Sequence, residues 1–163
     1  DNQEFWKSLL KMKNYEKHTP IYEAVIRGNN RILHIIFEAI NDEEYWKELF
    51  MITYHLRNTP IHHLLKNGYT KILKMVFNSI KDTEYWKNIF RKTDEFGDTL
   101  IHIKDEKRPY HHFAKRDNMD TIKLLIELIP DKGYWKEICE MKNNKNKTPF
   151  DLWEYPEVIE FMK

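Results

Sequence analysis

Eight histidines, a single cysteine and a regularly spaced set of tryptophans are the residues of this 163-residue chain that could do chemistry. The pairs His62-His63 and His111-His112 raise the question of a metal site, because neutral imidazole is a common zinc ligand. Neighbouring residues on a helix point about 100° apart, however, and no carboxylate recurs beside these pairs at a ligand spacing. No metal ligand set is therefore expected. Cys139 stands among Trp135, Ile138 and Met141, with no base supplied by a motif, so it reads as a small buried apolar residue rather than a nucleophile. The chain has no phosphate-binding glycine loop. Trp6, Trp46, Trp86 and Trp135 could form a stacking platform for bases, but their even repetition at helical positions assigns them to packing between repeats. The expectation is a non-enzyme without a cofactor.

Charge and composition narrow the class further. The 27 Lys and Arg nearly balance the 26 Asp and Glu, so no global basic or acidic excess drives binding to nucleic acid or to a membrane surface. One cysteine excludes an internal disulfide framework and suits a reducing compartment. No apolar stretch approaches the roughly 18 residues that span a bilayer. The opening Asp-Asn-Gln-Glu has no leader, and reads as the start of a monomeric domain cut from a longer protein. The mean hydropathy of -0.75 suits an elongated stack of thin layers better than a compact ball.

The elements that position these side chains repeat. Phe5-Trp6-Lys7, Tyr45-Trp46-Lys47, Tyr85-Trp86-Lys87 and Tyr134-Trp135-Lys136 recur at spacings of 40, 40 and 49 residues. Thr19-Pro20-Ile21, Thr59-Pro60-Ile61, Thr99-Leu100-Ile101 and Thr148-Pro149-Phe150 keep the same register. Two markers in step define tandem units: a partial unit at 1–18, units at 19–58, 59–98 and 99–147, and a C-terminal cap at 148–163. The longer third spacing places an inserted loop at 103–111. Thr before Pro predicts an N-cap and first helical residue. Gly28 and Gly68 predict the ends of these short helices. Ile32, Leu33, Ile35, Ile36 and Ile40, like Ile72, Leu73, Met75, Val76 and Ile80, and Ile122, Leu124, Leu125 and Ile129, follow the helical apolar period and are expected in the core. A third short helix carries each aromatic pair, with Asn2, Asp42, Asp82 and Asp131 as N-caps. The polar stretches 13–18, 54–58, 94–98 and 143–147 predict projecting loops or hairpins.

The string Thr59-Pro60-Ile61-His62-His63-Leu64-Leu65-Lys66-Asn67-Gly68 resembles the ankyrin repeat, whose core reads Thr-Pro-Leu-His, small apolar residues, Gly, then a paired aliphatic helix. The first unit keeps Thr19-Pro20-Ile21 and Gly28 but has Tyr22 in place of His. The third keeps Asp94, Gly97, Thr99 and His102, similar to the family's Asp-x-x-Gly-x-Thr hairpin. The resemblance implies an all-α helical solenoid of about four repeats, in which His62 and His102 hydrogen-bond loop backbone. The family period is usually 33, and here the extra residues hold the Tyr-Trp-Lys helix. A three-helix unit of about 40 residues also fits an armadillo- or HEAT-like repeat.

The resemblance further implies a protein partner held by the hairpin tips and the exposed face of the inner helices. The residues expected there are Tyr15, Lys17, Glu23, Arg27, Tyr54, Leu56, Arg57, His63, Lys66, Phe96, Arg108, Tyr110, His112, Lys115 and Arg116. Aromatic and Arg side chains are the better anchors, since they desolvate area while keeping a polar handle. Between Ile103 and Arg116 five basic residues face two acidic ones, which favours a partner with an acidic patch. The alternative reading is a nucleic-acid or phospholipid-binding solenoid that uses this basic half. No small-molecule substrate is expected. Lys outnumbers Arg 21 to 6 and Asn and Ile are abundant, as AT-rich coding favours. Ankyrin-like proteins of AT-rich intracellular bacteria and viruses are often host-directed effectors, so an intracellular site of action, cytoplasmic or nuclear in a host, is the expectation. An AT-rich eukaryote's own regulator has the same composition.

Overall fold

The computed structural model describes residues 2–54, 58–102, 118–152 and 160. Among them the chain is all-α, with no strand and ten helices: α1 (Asn2–Lys11), α2 (Pro20–Ile26), α3 (Asn30–Ala39), α4 (Glu43–Met51), α5 (Pro60–Lys66), α6 (Thr70–Ser79), α7 (Thr83–Arg91), α8 (Asn118–Leu128), α9 (Lys132–Glu140) and α10 (Pro149–Leu152). None of these helices is long and apolar enough to cross a membrane. The chain divides into two compact units, Asp1–Leu64 with Tyr69–Lys81, and Leu65–Gly68 with Asp82–Lys163.

Local chemistry sets the helix ends. Thr19 caps α2 by accepting the Tyr22 N–H at 3.2 Å, and Pro20 follows where no N–H is needed. The helix closes on Gly28, at φ +61°, whose N–H reaches the Val25 carbonyl while the Asn29 N–H reaches that of Ala24. A Cβ at Gly28 would also lie 2.7 Å from the Tyr69 ring, so space as well as backbone conformation requires glycine there. Asn29 caps α3 through the Ile32 N–H. Asp42, Asp82 and Asp131 cap α4, α7 and α9 at 3.0, 3.0 and 2.9 Å. Asn2, expected as the fourth such cap, is instead the first residue of α1.

The Tyr-Trp-Lys repeat has a structural explanation. In the first unit the Trp46 indole N–H donates to the Ile40 carbonyl at 3.0 Å, and its ring lies against Phe37 of α3. The Tyr45 hydroxyl donates to the Lys7 carbonyl of α1, and the Lys7 ammonium returns to the Asp42 cap at 2.7 Å. In the second unit Trp135 donates to Ile129, the Tyr134 hydroxyl donates to the Lys87 carbonyl, and Lys87 meets Asp131 at 3.1 Å. Lys11 and Arg91 lie over the Tyr45 and Tyr134 rings. Helices α4 and α9 are thus each tied to the outer helix before them by Trp, and to the preceding aromatic helix of the same unit by Tyr and Lys.

Trp46, Trp86 and Trp135 are fully buried. Trp6 is not: it stays 44% exposed. Two expected core positions also differ, because Ile32 and Ile35 are exposed while Leu33 and Ile40 are buried. In α6 the matching Ile72 is buried and Met75 half-buried. Helix α6 packs on α3 in this unit, whereas no described helix covers that stripe of α3.

Candidate functional site

The hairpin tips are built from one recurring turn. At Asn14–His18 the Asn14 N–H donates to the His18 carbonyl, the Lys17 N–H donates to the Asn14 carbonyl, and the Asn14 side-chain oxygen accepts the His18 N–H at 2.9 Å. At Asp94–Asp98 the Asp94 carboxylate accepts the N–H groups of Phe96 and Asp98, and the same two backbone bonds close the loop. Asn143 repeats the pattern with Lys145 and Lys147. An Asx side chain that satisfies successive backbone donors makes each turn self-supporting. The fourth turn residue is left-handed in all three: Lys17 at φ +64°, Gly97 at +75° and Asn146 at +59°. Glycine is therefore not needed for this turn type, although Lys17 bears the strain of its Cβ there. At the second tip the Tyr54 N–H donates to the Asn58 carbonyl.

Behind three of the tips the threonine makes a capping box. Thr59 N–H and Thr99 N–H donate to Nδ1 of His62 and His102, at 3.0 and 2.9 Å, with the threonine hydroxyl beside the same nitrogen. Thr148 makes the equivalent pair to the Asp151 carboxylate. An accepting Nδ1 places the imidazole proton on Nε2, and Nε2 of His102 faces the Lys147 carbonyl at 3.2 Å. This is the bond to loop backbone that the resemblance implied for His102. Burial, the largest influence, pushes the His102 pKa below the usual histidine value. The neutral imidazole is the form the cap needs.

The first unit replaces that box with aromatic rings. Tyr22, standing at the histidine position, stacks on Tyr54 with centroids 3.6 Å apart, and its hydroxyl meets Nε2 of His63 at 2.6 Å. The Tyr54 hydroxyl lies 2.7 Å from Oγ1 of Thr19, and the His18 ring stands edge-on to both tyrosines. Desolvation raises the Tyr22 phenol to about 12, helped by Tyr54 and Glu23, and it also raises Tyr54. Both remain neutral in the physiological range. Glu23 accepts from His18 at 2.8 Å and from Arg27 at 3.2 Å; the bond to His18 is the main influence holding its carboxyl below the usual range.

Six expected partner-binding residues therefore belong to the first unit: Tyr15, Lys17, Glu23, Arg27, Tyr54 and His63. Tyr15 is fully exposed at the turn, and Lys17 is exposed beside it. Tyr54 and His63 are half-buried and held by the aromatic cluster. In the second unit Phe96 sits half-buried at its tip, and burial of Lys66 lowers its ammonium to about 8. Leu56, Arg57, Arg108, Tyr110, His112, Lys115 and Arg116 lie outside the described residues, as does the insertion 103–111.

Neither His62 nor His63 belongs to a described ligand cluster, since the cap engages one and Tyr22 the other. The grouping that does form is Glu16, His18 and Glu23, with ligand atoms all within 4.8 Å of one another. Its donors suit a divalent cation in type. His18 Nδ1 is already engaged by Glu23, however, and Glu16 is exposed to water. Sequence spacing concealed this group because the turn folds residues of the loop back on the first turn of α2. Cys139 is fully buried, and desolvation raises its thiol to about 12, which leaves it protonated and unreactive. No protein-family model matches the chain, and neither does any curated protein.

Proposed function

We propose that the chain is an ankyrin-like repeat solenoid that binds a protein partner without catalysis, through its hairpin tips and the adjoining face of its inner helices. The observation that carries this reading is the recurring turn. Its backbone is the same at three tips, down to the left-handed fourth residue, while its middle residues differ: Tyr15-Glu16-Lys17, Glu95-Phe96-Gly97 and Asn144-Lys145-Asn146, of which Asn144 is bonded to the Glu95 and Phe96 carbonyls of the tip beside it. A fixed backbone carrying varied outward residues is what a recognition surface needs, because its side chains lose little freedom on binding. The first tip carries a fully exposed tyrosine, Tyr15, in the turn that leads into His18, whose ring stands edge-on to the stacked Tyr22 and Tyr54, so a large contact side chain sits beside an ordered base.

The test is affinity capture from eukaryotic lysate at low and physiological salt, with the wild-type chain against a Tyr15→Ala, Lys17→Glu variant. Both substitutions are on exposed turn residues, so helicity should be unchanged. A protein retained at both salts by the wild type and lost by the variant supports the reading. Retention of only nucleic acid or lipid, and only at low salt, would replace it with a phosphate-binding one, since phosphate contacts weaken steeply with salt.

A further inference from the structure

The exposed apolar face of the first unit has a definite register. Ile32, Ile35, Ile36 and Ala39 lie at i, i+3, i+4 and i+7 of α3, one stripe of that helix. The corresponding residues of α6, Ile72, Met75, Val76 and Ser79, are buried or half-buried, and so are Thr121, Leu124, Leu125 and Leu128 of α8. In α3 Ile32 at 46%, Ile35 at 58% and Ala39 are exposed, and Ile36 is half-buried. Elsewhere α3 and α6 agree: Leu33 and Leu73, and Ile40 and Ile80, are buried in both, while His34 and Lys74, and Glu38 and Asn78, are exposed in both. What α6 has, and α3 lacks among the described residues, is an outer helix packed on the side that precedes it.

Trp6 gives a second, independent mark. Trp46 and Trp135 each donate the indole N–H to the carbonyl six residues earlier, at the end of an outer helix, and Trp46 lies 4.4 Å from the Phe37 ring of that helix. Trp6 carries the same indole at the same place in its own helix and is exposed. Helix α3 itself packs against α6 and, through Phe37, against Trp46 of α4. A single helix of the same kind, continuing this packing by one step, covers the α3 stripe and Trp6 together. Phe5 sharpens the match: it stands where Tyr45 and Tyr134 use a hydroxyl to reach the preceding aromatic helix, and it has none. The face therefore asks for an outer helix and has no group for the tyrosine hydroxyl bond to a further aromatic helix.

We propose that the face formed by Ile32, Ile35, Ile36 and Trp6 docks an amphipathic outer helix of a further repeat of this type, with apolar residues at the α3 spacing, an aromatic facing Trp6, and a terminal carbonyl that accepts its indole N–H. The experiment fuses a copy of residues 19–41 directly ahead of Asn2 in the full chain. The Trp6 contribution is isolated by difference against Trp6→Phe. The expected result is a blue-shifted Trp6 emission, a several-fold drop in its acrylamide quenching, and a raised Tm. Ile35→Lys should abolish these gains in the fusion while leaving the Tm of the original chain unchanged. A fusion that gains helicity by circular dichroism but leaves Trp6 equally quenchable would overturn the proposal. If the fused segment stays unfolded, a helix-stapled peptide of residues 30–41 added in trans decides: protection of Trp6 supports the proposal and its absence refutes it. Dimerisation of the original chain at micromolar concentration that Ile35→Lys abolishes would assign the face to a second copy and also refute it.

Discussion

The aromatic helices and the hairpin tips repeat in opposite ways. In α4 and α9 the side chains recur, and each has a partner within the fold: Trp to the carbonyl at the end of its own outer helix, Tyr to a lysine carbonyl of the preceding aromatic helix, and that lysine to the aspartate cap. At the tips the backbone recurs and the outward side chains change. The difference separates side chains that the fold uses internally from turn residues that the backbone pattern does not fix. Side chains whose partners are internal must stay constant from unit to unit, whereas a turn held by its own Asx side chain leaves its neighbours free to vary.

Substitutions should fall into these two groups. Trp46→Ala removes a fully buried indole and should destabilise by about 3–5 kcal/mol in urea unfolding. Trp6→Ala, at the open face, should cost under about 1.5 kcal/mol; equal losses at the two positions would break the distinction between a covered repeat and an open one.

His102→Ala comes next. It takes the acceptor from Thr99 and the donor from Lys147, and should cost about 1–2 kcal/mol. His102→Asp should restore the cap in part, because Asp151 performs that role at Thr148. The folded pKa of His102 lies below its unfolded value, so the unfolded chain binds the extra proton first. The stability contributed by this group is complete above a pH of about 6.5 and declines as pH falls through the depressed folded value. A difference in urea midpoint between wild type and His102→Asp that narrows on acidification checks the sign.

Smaller effects sharpen the contrast. Tyr134→Phe should lose about 1 kcal/mol with its bond to the Lys87 carbonyl, while Phe5→Tyr should gain nothing in the same measurement. Lys17→Gly relieves a left-handed residue at an exposed tip and should stabilise by up to about 1 kcal/mol, without change in helicity. A loss at Lys17→Gly would mean that the turn depends on its lysine, contrary to a backbone held by Asn14.

Much of this scaffold was legible in the sequence. Thr-Pro pairs, Gly28 and Gly68, and the aspartates three residues before each aromatic all act through bonds to nearby backbone, so their spacing reports them. What spacing cannot report is occupancy by a neighbour. Ile32 and Ile72 look alike in sequence, yet only Ile72 is buried, because burial depends on the helix alongside. The left-handed turn was hidden for a related reason: its signal is the Asx residue three positions earlier, not the residue that takes the positive φ. At the site, Tyr15 and Lys17 were identifiable from their place in a polar turn. The Tyr22–Tyr54 stack and the Glu16–His18–Glu23 grouping were not, since they arise only when the turn brings loop and helix together.

The central claim, that the tips are the presenting surface, is tested most directly by site-specific photocrosslinking. A photoreactive residue is placed at Tyr15, or at Lys74 on the exposed side of the outer helix α6, and each protein is irradiated in eukaryotic lysate at physiological salt. A discrete protein adduct is expected from position 15, competed away by unlabelled wild-type chain, and none from position 74. The same adduct from both positions, or a competed adduct from position 74 alone, would contradict it.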